Sequence, residues 1–245
     1  MSNLTDFFNQ LKNERVLVLG DIMLDRYLYG RVDRISPEAP VPVVALQSEE
    51  EKLGGAANVA LNLIALKSTV ALIGGIGKDV SGDKILKMLP ASGIQSKYLL
   101  KFEQRRTTVK SRVIGGAQHL LRVDYEDTHD LNPFEEEQLI RTFKMAMDTF
   151  KPSIVLIQDY NKGLLTVDII RHILDMASSQ NVFTAVDPKK ADLKTYLPCD
   201  LIKPNLKEFN AHFGQSLSPD ELSKMAKAFV DQNGVGRLMI TLSEK

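Results

Sequence analysis

The run Leu53-Gly-Gly-Ala-Ala-Asn-Val-Ala-Leu-Asn-Leu63 couples two adjacent glycines to an apolar helical pattern, and its reading decides the surrounding fold. Gly54 and Gly55 carry no Cβ, so the backbone there can approach a ligand closely. Asn58 projects an amide from the first helical turn, where backbone N–H groups still lack partners. Donors and acceptors arranged in this way suit something small, polar and rich in hydroxyls. A second polar cluster, Gly20-Asp-Ile-Met-Leu-Asp-Arg-Tyr27, follows an apolar run and can face the same site.

Outward from this point, short β-branched runs alternate with helical patterns, the signature of a parallel sheet covered by helices. Val16–Leu19, Val70–Ile73, Ser153–Ile157, Val182–Val186, Leu201–Ile202 and Leu238–Thr241 read as buried strands. Helices are expected near Ala56–Leu66, Gly82–Leu89, Pro133–Thr149, Val167–Ser178, Leu206–Phe213 and Pro219–Asp231. Pro133 and Pro219 suit first-turn positions, and Ser218 suits an N-cap. The stretch Met1–Lys12 reads as the start of an amphipathic helix carrying acids rather than a signal peptide. Two segments break the rhythm. Arg26–Leu46 is punctuated by prolines, and Lys97–Tyr125 alternates around Gly115-Gly116 as a hairpin does. Together they are expected to form a small antiparallel sheet inserted into the α/β body, serving as a lid or a dimerisation surface.

Composition narrows the function. The 31 basic and 31 acidic side chains balance, which argues against a general nucleic-acid or membrane-surface binder. The single cysteine, Cys199, excludes an intramolecular disulfide framework and fits a reducing, cytoplasmic setting. No apolar run approaches the roughly 18 residues of a membrane span. The four histidines are scattered, and their spacing suggests neither a metal site nor a triad.

Several polar motifs follow predicted strands, where open α/β sheets bind ligands. Asp21 and Asp25 sit after the first strand and suit sugar hydroxyls, or simply cap a turn. Asp159-Tyr-Asn-Lys162-Gly and Asp187-Pro-Lys189-Lys190 each bring an acid and a lysine to the same sheet edge. Arg105, Arg106, Lys110, Arg112 and Arg122 concentrate cations in a neutral chain, and Lys110 and Arg112 share one strand face. They read as a cradle for a phosphorylated ligand or as a solvated outer face. Gly74-Gly-Ile-Gly-Lys-Asp79 satisfies neither the dinucleotide fingerprint nor the phosphate-binding loop and reads as a tight strand-to-helix turn. In Lys203-Pro-Asn205-Leu-Lys-Glu208, Asn205 and Glu208 fit a capping box, or help to place a hydrated magnesium ion.

Taken in order, G-D-I-M-L-D-R-Y, S-P-E-A-P-V-P-V (from Ser36), G-G-A-A-N-V-A, D-Y-N-K-G, D-P-K and K-P-N-L-K-E-F resemble the ribokinase-like (PfkB) sugar kinases over essentially the whole chain. Within that family the likeness is to the kinases that phosphorylate the anomeric hydroxyl of D-glycero-D-manno-heptose 7-phosphate for lipopolysaccharide core synthesis. The resemblance implies a ribokinase-like α/β fold and dependence on ATP and Mg2+. It also implies a homodimer formed through the β lid.

Carried over by residue, the resemblance gives Asp25, Gly54, Gly55 and Asn58 the sugar hydroxyls. Arg105, Lys110, Arg112 and Gln118 fall in the lid near the substrate phosphate, and Lys162, Asp187 and Lys189 line the site. Lys203, Asn205 and Glu208 fall on the nucleotide side, with Asn205 and Glu208 positioning magnesium through water. The chain departs from the family pattern at Arg106, where proline is common, and at Ala117 and His119 in an N-Q-Q motif. The family's catalytic aspartate lies in a later G-A-G-D turn, a run absent from residues 1–245. The resemblance therefore places the base beyond Lys245 and implies that these residues are an incomplete, inactive part of a longer kinase.

Overall fold

A computed structural model describes residues 14–242. The expected amphipathic start over residues 1–12 lies outside the described residues. Seven strands form the main sheet: β1 (Arg15–Gly20), β4 (Thr69–Gly77), β5 (Leu99–Phe102), β8 (Ile154–Gln158), β9 (Phe183–Asp187), β10 (Leu201–Ile202) and β11 (Arg237–Leu238). Their order is β11-β10-β9-β8-β1-β4-β5, and every pairing is parallel.

Alternation along each strand explains why both faces are covered. In β1, Leu17 and Leu19 point into one core and Val16 and Val18 into the other. In β4, Ala71 and Ile73 join the first core and Val70 and Leu72 the second. The second core packs under α1 (Ala56–Ala65) and α2 (Val80–Ala91). The first packs under α3 (Pro133–Phe150), α4 (Val167–Ser179), α5 (Leu206–Phe213) and α6 (Pro219–Asn233).

Helix starts follow local chemistry. Asn132 and Ser218 each form a capping box with the glutamate three residues on, with proline at the first turn. Asp79 caps α2 by accepting from Gly82 N–H at 2.8 Å and also accepts from Thr107 N–H at 2.8 Å. The sequence of Gly74–Asp79 indicates a tight turn, but Gly74–Gly77 continue β4 and pair with β5, and only Lys78-Asp79 turn into α2.

The second sheet comprises β2 (Ile22–Ile35), β3 (Pro42–Gly55), β6 (Thr108–Gly115) and β7 (Gln118–Tyr125), in the order β3-β2-β6-β7. The hairpins β2/β3 and β6/β7 are antiparallel as expected, but β2 and β6 join in parallel, so the lid is mixed. The expected lid span is also too long. Residues 99–102 form β5, which pairs with β4 in the main sheet because Phe102 is buried in the first core. The base of the lid is anchored by Leu24, Leu53 and Val109 in the second core.

Candidate functional site

Strand order fixes where a ligand site can form. From β1 the chain builds outward through β4 and β5 on one side, then through β8, β9, β10 and β11 on the other. The direction reverses between β1 and β8, and crevices at such reversals open at the carboxyl ends of the strands. Asp21 follows β1, Asp159 follows β8, and Asp159 is close enough to help raise the Asp21 carboxyl. The chain enters the lid at Ile22 and returns at Gly55, so both lid hinges lie at this same point.

Asp21 is 4% exposed, and its Oδ2 accepts from Tyr160 N–H at 2.8 Å and Lys162 N–H at 3.3 Å. Burial, together with Asp159, pushes its carboxyl up to about 6. Its backbone carbonyl accepts from Ala56 N–H at 2.9 Å, tying β1 to the start of α1. Gly55 adopts φ of 59°, and a Cβ there would meet the Asp21 carbonyl oxygen at 2.3 Å. A Cβ on Gly54 would meet Asp25 Oδ2 at 2.3 Å. Ala56 N–H is taken by Asp21, no side chain caps the amides that follow it in α1, and Asn58 is exposed in the first turn. The double glycine is therefore required by close approach, here to the protein's own Asp21 carbonyl and Asp25 carboxylate.

Asp25, Lys110 and Arg112 come together on one lid face because β2 and β6 pair Asp25 with Lys110 and Tyr27 with Arg112. Arg112 Nη1 donates to Asp25 Oδ1 at 2.5 Å, and its guanidinium lies 5.2 Å from the centre of the Tyr27 ring. Lys110 donates to Asp124 at 3.0 Å and to Glu126 at 3.4 Å, while Lys162 reaches the other oxygen of Glu126 at 2.6 Å. At this point lid and body meet through one carboxylate shared by two lysines, and Lys84 of α2 pairs with Glu51 of β3 at 2.7 Å elsewhere along the lid.

Two of the expected phosphate contacts sit elsewhere. Arg105 precedes the lid strand and is 8% exposed, its guanidinium donating to the carbonyls of Lys162 (2.7 Å) and His129. It fixes the backbone that carries Lys162 instead of facing the cleft. Gln118 pairs with Gly115 at the hairpin tip, five residues beyond Lys110. At about 3.3 Å per residue it lies roughly 17 Å away along the strand.

The remaining residues gather at the ends of β9 and β10. Asp187 accepts from Lys203 Nζ at 3.0 Å and Gln158 Nε2 at 3.1 Å. Asn205 and Glu208 form the capping box of α5, and Lys189 Nζ donates to the second oxygen of Glu208 at 3.0 Å. Each Glu208 oxygen makes one protein hydrogen bond, leaving lone pairs for a metal-bound water. Among the described residues no cluster of three His, Cys, Asp or Glu is placed to hold a metal directly. The donor set fits outer-sphere magnesium, which keeps several of its waters.

One functional group had no sequence signal. Tyr196 is fully buried in a 3-10 turn (Leu193–Tyr196). Its hydroxyl donates to Asp159 Oδ2 at 2.5 Å and accepts from Lys189 N–H at 3.1 Å and Lys190 N–H at 3.0 Å. That uses its one proton and both lone pairs. The loops after β8 and β9 are thereby locked together, and they carry Lys162, Lys189 and Lys190.

Comparison with known proteins places this geometry in context. Residues 13–245 match the pfkB family of carbohydrate kinases. Bifunctional protein HldE from Histophilus somni is 36% identical over 236 residues, which are 96% of this chain and 48% of that protein. Its counterpart from Nitratiruptor sp. is 40% identical over 232 residues, 94% of this chain and again 48% of that protein. The chain spans about half the length of the curated relatives it matches. Among solved structures, the tetrameric inhibited form of phosphofructokinase-2 from Escherichia coli aligns with a TM-score of 0.73 at 20% identity, covering 94% of this chain and 74% of that one. Ribokinase from Arabidopsis thaliana, complexed with ribose and ATP, aligns with a TM-score of 0.65 at 15% identity, covering 93% and 72%. At such identities these two structures show the shared fold.

Proposed function

The chain belongs to the pfkB family of carbohydrate kinases, and from that premise we propose that it acts on D-glycero-D-manno-heptose 7-phosphate in the supply of ADP-heptose. The observation that carries the substrate is the 36–40% identity with bifunctional HldE proteins across at least 94% of the chain. In this reading Asp25, Asn58 and the uncapped α1 amides near Gly54 and Gly55 take the sugar hydroxyls, and Lys110, Arg112 and Lys162 take the 7-phosphate. Lys203, Asn205 and Glu208 face ATP, with Glu208 holding a hydrated magnesium through water. Magnesium, when bound, neutralises charge on the transferred phosphoryl group.

The anomeric oxygen forms a bond to the γ-phosphorus, the bond from that phosphorus to the ADP oxygen breaks, and the hydroxyl proton passes to a general base. None of residues 1–245 is assigned that role here. Leu121, Val123 and Tyr125 form an exposed stripe on one face of β7, which supports a dimer through the lid.

Calorimetry and a coupled ADP assay test the reading. The chain should bind heptose 7-phosphate at least about tenfold more tightly than fructose 6-phosphate or ribose, a difference of about 1.4 kcal/mol. Tighter binding of fructose 6-phosphate, or turnover with it and none with the heptose, would overturn the substrate.

A further inference from the structure

Glu126 follows the last lid strand directly, and none of the sugar or nucleotide contacts proposed above uses it. Its carboxylate nevertheless sits between the two lysines assigned to the phosphate, 2.6 Å from Lys162 Nζ and 3.4 Å from Lys110 Nζ. The side chains of Lys110, Glu126 and Lys162 are 13%, 18% and 19% exposed, so this contact is largely sheltered from solvent. Asp124 neutralises Lys110 from the other side, and Asp25 engages Arg112. Every cation of the cradle is thus already matched by a carboxylate.

A dianionic phosphate and the Glu126 carboxylate cannot both contact the same pair of ammonium groups without strong repulsion. Two like charges this close near a protein surface repel each other strongly. We propose that Glu126 is a built-in competitor for the anionic group of the ligand, occupying the place between Lys110 and Lys162 that a phosphate takes. The inference rests on the assignment of those lysines to a phosphate subsite, though not on which sugar carries the phosphate. Its consequence is an affinity threshold that any anion entering this place must overcome. Free phosphate must displace Glu126 with no other contact to help it, whereas a sugar phosphate brings its hydroxyl contacts at Asp25 and Asn58. Displacing Glu126 also releases the one side-chain contact by which Lys162 of the body holds this part of the lid among the described residues.

The test compares the full chain with Glu126→Gln, which is isosteric, by calorimetric titration with inorganic phosphate, heptose 7-phosphate and the unphosphorylated heptose. Glu126→Gln should bind inorganic phosphate about fivefold more tightly, a gain in the range of a half-sheltered ion pair. Heptose 7-phosphate should gain similarly and the unphosphorylated sugar not at all. In a Lys110→Met background the gain should shrink, because one of the freed partners is gone. Unchanged or weaker phosphate binding by Glu126→Gln, or no phosphate binding by either protein, overturns the inference. A gain for phosphate in a chain that ignores heptose 7-phosphate supports the role of Glu126 and removes the heptose.

Discussion

Asp21 is held in the folded protein in a state that costs stability at neutral pH, and replacing it with asparagine measures that cost. Its carboxyl lies at about 6 against an ordinary 3.8, chiefly because it is buried and then because Asp159 is close, while Arg105 and the N–H groups of Tyr160 and Lys162 oppose the rise. At about 1.4 kcal/mol per pH unit the difference is roughly 3 kcal/mol. The folded state binds the extra proton, so stability is greatest below pH 3.8 and is lost as pH rises through about 6. Asparagine keeps an oxygen able to accept from Tyr160 and Lys162, but it carries no charge. Its new NH2 group needs an acceptor, which takes back part of the gain. Asp21→Asn is therefore expected to stabilise the chain by about 1–3 kcal/mol at pH 7.5 and by nothing at pH 3.5. For a chain of this size that is a melting-temperature rise of roughly 2–12 °C at the higher pH. Urea unfolding at both pH values reads the effect directly. Equal destabilisation at both pH values would refute the reasoning, since it would mean that Asp21 acts only through its hydrogen bonds. A charge kept at such cost beside the point where strand order reverses marks a candidate binding site.

Tyr196→Phe removes one bond to a carboxylate and leaves two partly buried N–H groups without their acceptor, so a loss of roughly 2–4 kcal/mol is expected. Heptose 7-phosphate binding should weaken with it as the lysine loops uncouple, and a loss below about 1 kcal/mol in urea unfolding would contradict the locking role. Leu121→Asp with Val123→Asp places charge on the exposed stripe of β7, so sedimentation should show a dimer in the parent chain and a monomer in the variant. An unchanged sedimentation coefficient would direct the interface elsewhere.

Much of the fold was legible because its causes are local. Val16 to Leu19 alternate between two cores, and Asn132-Pro133 and Ser218-Pro219 cap and start their helices from side chains within three residues. The double glycine suggested close approach to a ligand, and the groups that the structure brings against it are the protein's own Asp21 carbonyl and Asp25 carboxylate. The ends of the lid were less legible. Leu99–Phe102 lies within the span expected as lid, and its pairing with β4 and the burial of Phe102 against the main sheet place it outside.

The sequence by itself determined the helix-covered parallel sheet, the positions of the polar strand ends and the glycine opening of α1, since each depends on periodicity or on contacts a few residues apart. Tertiary structure decided the rest. The parallel pairing of Met23 with Thr108 brings Asp25 to Arg112 across 87 residues of chain, and no local preference encodes that closure. The same holds for Arg105, whose charge suggested a phosphate but whose surroundings offer two backbone carbonyls. It holds again for Tyr196, an ordinary tyrosine until folding sets Asp159 and two amides around its hydroxyl. Hydrogen bonds and ion pairs take whichever partner the packed chain delivers, and that partner is fixed by the cores and the strand order.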